Sequence, residues 1–397
     1  MIGDGWDSGV SIRPENAPRE PGARRRVAVV TGSRAEFGLL RPVMAGVARH
    51  PELELLVIAA GSHLISPALT FRDVKAEFTV ADSIPMQVAG RTGRAEDADA
   101  LGRGISRFTR SFVAHAPDWV VVLGDRIEAF AAAAAASVGG WAVAHLHGGD
   151  RAEGIADEAM RHAITKLAHL HLPATTQSAE RIVRMGERPE GVIVVGSPAI
   201  DDLAAIPVMG DAAFIELGSP DTIVLFHPLG RSDEMEEAAA TQLLAACAGR
   251  RTLALAPNHD AGRNGILRAI APWHKQGGGH FVEHLPRAKF VALLKRLAKG
   301  GVLVGNSSAG LIEAAALKLA VVDVGHRQSG RERPANVVHA QGESARLVEA
   351  AIKAAVALDL SSLAHPYGPG DAGLRAASAL ASIDPREPRL LRKKSTY

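Results

Sequence analysis

The chain has 397 residues, 47% apolar and 22% charged, the profile of an ordinary folded protein long enough for two or three domains, each burying its own core. The net charge is only +2, with much of the basic excess at the ends (Arg24-Arg25-Arg26 and Arg392-Lys393-Lys394), so the basic stripe of a nucleic-acid binder is missing. A single cysteine, Cys247, excludes an internal disulfide and the multi-cysteine zinc spacings, and no apolar run is long enough to span a bilayer or serve as a signal peptide; a cytoplasmic protein is expected.

Residues 1–24, rich in Gly, Pro and charge, read as a disordered leader. Order is expected from the β-branched run Arg26 to Val30, which enters Thr31-Gly32-Ser33-Arg34-Ala35-Glu36-Phe37-Gly38 and a helical pattern over 39–49. A strand over 53–60, a less regular stretch, a helix around 97–114 and a strand over 119–123 follow, the last stopping at Gly124-Asp125-Arg126. An alanine-rich helix over 130–137 precedes a strand over 141–145. That strand runs into His145-Leu146-His147-Gly148-Gly149-Asp150, then Glu153-Gly154 and a helix over 157–168 containing Asp157-Glu158-Ala159-Met160-Arg161-His162. Strands over 169–173 and 192–195, with a helix between, complete the first unit. The pattern restarts with strands over 222–226, 252–256, 301–304 and 320–324, each ending in a polar or glycine-rich loop. A tail holds Ala364-His365-Pro366-Tyr367-Gly368, a short helix around 371–381 and a polar end. Strand and helix alternate throughout, which implies parallel sheets wound with helices on both faces and a cleft between two α/β units.

In open α/β sheets ligands bind beyond the carboxyl ends of the strands, which is where these loops fall. The cluster from His145 to His162 gathers carboxylates, histidines, arginines and a glycine pair after a buried strand, and is the candidate reaction centre; charged loops that serve only solubility are the competing reading. Gly305-Asn306-Ser307-Ser308-Ala309-Gly310 opens a helix over 311–316, a seat for a diphosphate or simply a serine N-cap. Glu313, one turn on, is either a ribose contact or a solvated glutamate. Arg327 and Arg331 offer phosphate or ribose contacts from a charged loop. Gly32-Ser33-Arg34-Ala35-Glu36 has the right position for a phosphate or sugar, but neither the dinucleotide nor the P-loop spacing, which argues against NAD and ATP. Gly124-Asp125-Arg126 puts an acid and a base at one strand end, where an ion pair inside the domain is the plainer account. His227 before Pro228 and Asn258 after Pro257 project from strand ends of the second unit.

Taken together these motifs resemble the hydrolysing UDP-N-acetylglucosamine 2-epimerases that open sialic-acid pathways. The likeness covers about residues 26–383 and includes Leu123-Gly124-Asp125-Arg126, His145 to Asp150 with Asp157 to Lys166, His227-Pro228, Asp260-Ala261-Gly262 and Pro366-Tyr367-Gly368. The resemblance implies an α/β GT-B fold: a Rossmann-like domain over 25–205 with the sugar and catalytic carboxylates, a second over 206–365 for UDP, and a helix over 366–384 crossing back, between the leader over 1–24 and a polar tail over 385–397 that composition gives. It also implies elimination of UDP across C1–C2 to a glycal, hydration to free N-acetylmannosamine, no metal or redox cofactor, and a homodimer. By motif match Asp125, Asp150 and Asp157 become the acid/base candidates with His147 and Arg161 beside them, and Arg34, Glu36, Arg126, His227, Asn258, Asn306, Ser307, Ser308, Glu313 and Arg327 would hold the UDP-sugar. Asp150 stands where glutamate is usual, Phe37 where tyrosine is common, and Arg263 where small residues are usual. These departures fit a modified sugar such as a 2,4-diacetamido-2,4,6-trideoxy hexose. A non-hydrolysing epimerase is a near alternative; a glycosyltransferase and a non-catalytic nucleotide-sugar-binding protein are alternatives of other classes.

Overall fold

A computed structural model of the chain describes residues 23–66, 68–91, 93–151, 157–258, 260–394 and 396, without the side chain of Asp157. Most of the expected leader, Glu153 and Gly154 therefore lie outside the described residues. The strands are β1 (Arg25–Thr31), β2 (Leu53–Ala60), β3 (Val80–Ile84), β4 (Trp119–Leu123), β5 (Ala142–Leu146) and β6 (Leu170–Leu172), then β7 (Thr222–Leu225), β8 (Thr252–Leu255), β9 (His280–Val282), β10 (Val302–Gly305), β11 (Ala320–Val324) and β12 (Val337–Ala340). They form two six-stranded parallel sheets, ordered β3-β2-β1-β4-β5-β6 and β12-β11-β10-β7-β8-β9. Numbered within its own half, the second repeats the order of the first. Each reverses direction between its first and fourth strands, at β1/β4 and β7/β10, and that switch point is where doubly wound sheets open a crevice for ligand.

Alternation along the strands explains the layers. Val27 and Val29 of β1 enter one apolar cluster while Ala28 and Val30 enter another on the opposite face. In β10, Val302 and Val304 face one cluster and Leu303 the other. A fifth cluster, including Ala199, Ile200, Val291, Ile312 and Tyr367, joins the two halves. The helix Ala372–Ser382 crosses back onto the first half and lies on the helix Arg34–Arg49. The two helices approach closely, since a Cβ added at Gly46 would meet the Gly373 carbonyl at 2.5 Å, and the Trp119 indole of β4 donates to the Leu380 carbonyl at 3.1 Å. Two Rossmann-like halves with a returning C-terminal helix make up the GT-B arrangement.

Four expectations need correcting. The less regular stretch after β2 contains the helix Phe71–Glu77 and β3; with β9 and β12 these are short, partly exposed edge strands whose alternation is weak. The run Val192 to Val195 is no strand. It lies beside β6 through Ile193 N to His171 O (2.9 Å) and Val195 N to Pro173 O (3.1 Å), but Pro173 has no N–H to return a bond. The helix expected over 311–316 is two single turns, Ser308–Leu311 and Glu313–Ala316. The end of the chain is packed, with Leu390 and Leu391 of the turn Pro388–Leu391 against the first core. Among the described residues no helix is long and apolar enough to cross a membrane.

Candidate active site

The loop after β5 turns sharply because His147 and Gly149 both take left-handed backbone angles (φ 59° and 74°), a costly conformation for a histidine. The turn brings His147 and Asp150 face to face. The His147 Nδ1–H donates to Asp150 Oδ2 at 2.9 Å, and the Ser178 hydroxyl donates to Asp150 Oδ1 at 2.7 Å. His147 Nε2 lies 3.2 Å from the Ser197 hydroxyl, within hydrogen-bond distance. Ser178–Asp150–His147–Ser197 is thus one buried chain of hydrogen bonds. Burial works to raise the Asp150 pKa, but His147, Arg331 and the Ser178 hydroxyl outweigh it and hold the carboxylate below its ordinary value.

Behind this chain Arg161, 3% exposed on the helix Asp157–Leu167, ties the β4 and β5 loops together. Its guanidinium pairs with Asp125, reaches Glu158 at 3.4 Å, and donates to the Asp150 carbonyl at 3.1 Å. Asp125 is therefore engaged in an ion pair inside the first half. His145, in the same motif, is fully buried and braces strand ends: Nε2 donates to the Gly124 carbonyl at 2.8 Å, and Nδ1 meets the Thr165 hydroxyl at 3.2 Å. Asp157 begins the same helix as Arg161; its carboxylate lies outside the described residues.

At the end of β1, Ser33 caps the helix Arg34–Arg49 and accepts from Glu36 N at 3.4 Å, while Glu36 Oε2 reaches back to Gly32 N at 2.6 Å. The return bond falls on the residue before the N-cap rather than on the N-cap itself, a variant of the capping box. Glu36, expected as a ligand contact, is 4% exposed and bonds within its own loop; burial pushes its pKa up to about 8. Arg34 is exposed and lies close enough to His284 of the second half to lower that ring's pKa, after burial. Arg126 is the N-cap residue of the helix Ile127–Val138 and lies 3.5 Å from the buried Glu128.

In the second half, the β7/β10 switch point is pinned by Asn306. Its side chain accepts from His227 N at 2.7 Å and donates to His227 O at 2.8 Å, so at 1% exposure it holds the loop on which His227 stands. His227 Nδ1 accepts from Asn258 N at 3.1 Å, which leaves Nε2 to carry the proton of the neutral ring. Burial and then Arg327 push its pKa down to about 3. The Ser307 hydroxyl caps the turn by accepting from Ala309 N at 3.4 Å, with Ser308 the first helical residue. Arg327 and Gln328 both donate to the Asn306 carbonyl, at 3.3 and 2.8 Å. Glu313 is no solvated residue: it pairs at 3.2 Å with Arg287, which also binds Asp202 at 2.8 Å and so spans the two halves.

The halves meet directly over Asp150. Arg181 donates to the carbonyls of Gly149 (3.2 Å) and Gly330 (3.1 Å), and Arg331 donates to the Arg151 carbonyl at 3.0 Å. A cavity of about 10 Å³ remains there, lined among others by Asp150, Ser178, Arg331 and Tyr367, room for about one water. Sequence reasoning missed Ser178, Ser197, Arg181 and Arg287, which sit in no motif; a serine preceded by a capping threonine is the only local signal, and it signals a helix start.

A family model described as UDP-N-acetylglucosamine 2-epimerase matches residues 45–381. Among curated proteins, the chain is 36% identical to the UDP-N,N'-diacetylbacillosamine 2-epimerase (hydrolyzing) of Legionella pneumophila, over 79% of this chain and 84% of that one. It is 32% identical to the UDP-N-acetylglucosamine 2-epimerase of Neisseria meningitidis, over 82% and 86%. Among solved structures, the UDP-GlcNAc 2-epimerase of Methanocaldococcus jannaschii in complex with UDP-GlcNAc and UDP superposes with a TM-score of 0.75 at 16% identity, covering 90% of this chain and all of that one, a likeness of fold. A match over most of the chain, relatives above 30% identity along nearly their whole length and the shared two-sheet architecture lead to one conclusion: this chain belongs to the UDP-N-acetylglucosamine 2-epimerase family.

Proposed function

We propose that the protein is a hydrolysing 2-epimerase of a UDP-linked 2-acetamido sugar. The C2 proton is removed, the C1–O bond breaks with its electron pair leaving on UDP, and the glycal so formed takes up water, hydroxyl at C1 and a proton at C2 from the opposite face. The free 2-epimeric sugar and UDP are the products. The observation that carries this reading is the Asp150 carboxylate, held ionised by His147 and Ser178 beside the Asp125–Arg161 pair, where the first half faces the second. Elimination needs a base for a weakly acidic C–H and a proton donor and acceptor for water, which Asp150, His147, Asp125 and Asp157 would supply. The departing diphosphate needs fixed donors, which neutral His227 Nε2–H, Ser307, Ser308, Arg34, Arg126 and Arg327 would offer, with Asn258 bracing His227. A homodimer, a cytoplasmic location and a place in sialic-acid-type synthesis belong to the same reading.

A second substrate is favoured by a specific observation: the relative at 36% identity is named for diacetylbacillosamine. Proton NMR in deuterated water with UDP-N-acetylglucosamine and UDP-N,N'-diacetylbacillosamine side by side tests both. Release of UDP with a free 2-epimer deuterated at C2 is expected from one of them. A UDP-linked epimer without UDP release would assign the non-hydrolysing reaction, and UDP binding without turnover of either sugar would refute the enzyme reading.

A further inference from the structure

The end of the chain does more than cover the core. Lys393 lies with its ammonium 2.5 Å from the Ala168 carbonyl, 2.7 Å from the Lys166 carbonyl and 2.7 Å from Glu187 Oε2, with the Thr165 carbonyl at 3.4 Å. The three nearest acceptors match the three donors of an ammonium group. The Thr165 and Lys166 carbonyls belong to the last turn of the helix Asp157–Leu167, which leaves them without intrahelical partners, the Ala168 carbonyl follows directly, and a cation there also complements the negative end of the helix. Glu187 is itself fixed by Lys166 (2.5 Å) and His171 (3.2 Å). The tail is held in place by Leu390 and Leu391 against the core, by Arg188 donating to the Arg389 carbonyl (3.3 Å), and by Thr396 N to Gly186 O (3.1 Å). Between tail and sheet edge lies a cavity of about 750 Å³, lined among others by His171, Glu187, Leu390 and Lys393, so the tail touches this region at a few points rather than by continuous packing.

The helix held from this end carries Arg161, which in turn holds Asp125 and the Asp150 carbonyl, and Thr165, which meets His145. From residue 167 to Arg161 is about 9 Å of rigid helix. We propose that Lys393 is a positioning residue: the C-terminal tail is a latch that fixes the catalytic-site helix from its far end and so sets where Arg161 places Asp125 and Asp150. The proposal rests on the role given above to those carboxylates. Misplacement of reacting groups by even a fraction of an ångström lowers kcat while leaving nucleotide binding on the other half intact.

The test compares the full-length protein with Lys393→Met, which keeps the aliphatic stem and removes the charge, and with Lys393→Arg. Hydrogen exchange of the ligand-free proteins is read first. Lys393→Met is expected to speed exchange of the amides in 161–168 at least about 10-fold, to leave the helix Arg94–His115 unchanged, and to be largely rescued by Arg. In turnover, kcat is expected to fall about 10-fold with KM and inhibition by UDP within about twofold. Unchanged exchange over 161–168 overturns the latch, and so does a uniform acceleration across the fold, since Lys393 would then serve general stability. The exchange measurement needs no substrate, so a wrong substrate assignment leaves the enzyme silent while the latch is still decided.

Discussion

Replacing Asp150 by Asn separates the structural from the chemical duty of this residue. Asp150 accepts two hydrogen bonds, from His147 at 2.9 Å and Ser178 at 2.7 Å, in a nearly buried position. Hydrogen bonds to a charged group contribute about 1.5–3 kcal/mol against about 0.5–1.5 for neutral pairs, so two of them lose about 2–3 kcal/mol. Relief of the carboxylate's burial cost returns part of that, leaving a net destabilisation of about 2 kcal/mol at neutral pH. The amide N–H₂ now faces His147, so the imidazole must move its proton to Nε2 and the Ser197 hydroxyl must turn to accept, both of which the geometry allows. The variant is therefore expected to fold, with its urea midpoint lowered accordingly. Loss of a positioned acid/base group costs about 10²–10⁴ in rate, so kcat is expected to fall at least about 100-fold while UDP still inhibits at the same concentration. The assay is release of UDP under saturating nucleotide sugar, alongside urea denaturation of the same samples. Turnover within about fivefold of the parent would refute the reasoning and leave Asp150 as a strut between His147 and Ser178.

Two further outcomes follow from the same geometry. Gly149 has φ 74°, and a Cβ there would meet the Ser178 carbonyl at 2.2 Å; Gly149→Ala is expected to cost at least about 2 kcal/mol from backbone strain and overpacking, and to lose activity as Ser178 is pushed off Asp150. Wild-type denaturation midpoint and rate would contradict it. Glu36 has its pKa pushed up from 4.5 to about 8 by burial, chiefly. Its folded form keeps a proton that the unfolded chain releases, so its contribution to stability is full below about pH 4.5 and is lost as pH rises to about 8. Glu36→Gln is expected to gain on the parent by up to ~4 kcal/mol between pH 5 and pH 8.5 in urea denaturation. The buried His63, His145 and His227, pushed down to about 4, 3 and 3 by burial first, act in the opposite sense: stability falls as pH drops from 6.5 toward 3, in parent and variant alike. Parallel pH curves for parent and Glu36→Gln at the alkaline side would rule out a buried, protonated Glu36.

Local chemistry was legible wherever the chain acts through its neighbours. The apolar runs that became β1, β2, β4, β5 and the core of the second sheet, the glycine-bearing turn before Asp150 and the alternation of strand and helix follow from side-chain periodicity and backbone conformation within a few residues. Edge strands β3, β9 and β12 were not legible, because a strand with one open side carries little alternation, and Val192 to Val195 looked like a strand because nothing local reveals that its neighbour ends in Pro173. Polar partners joined across the fold were beyond reach altogether. Ser178 reaches Asp150 across 28 positions, Ser197 reaches His147 across 50, and Lys393 reaches the helix Asp157–Leu167 across more than 220. Sequence determined which side chains stand at the strand ends, since that depends on local periodicity. Only the tertiary structure decided which of them face a partner and which, like Glu36 and Asn306, turn inward, because a hydrogen bond or ion pair depends on where two distant segments are packed together.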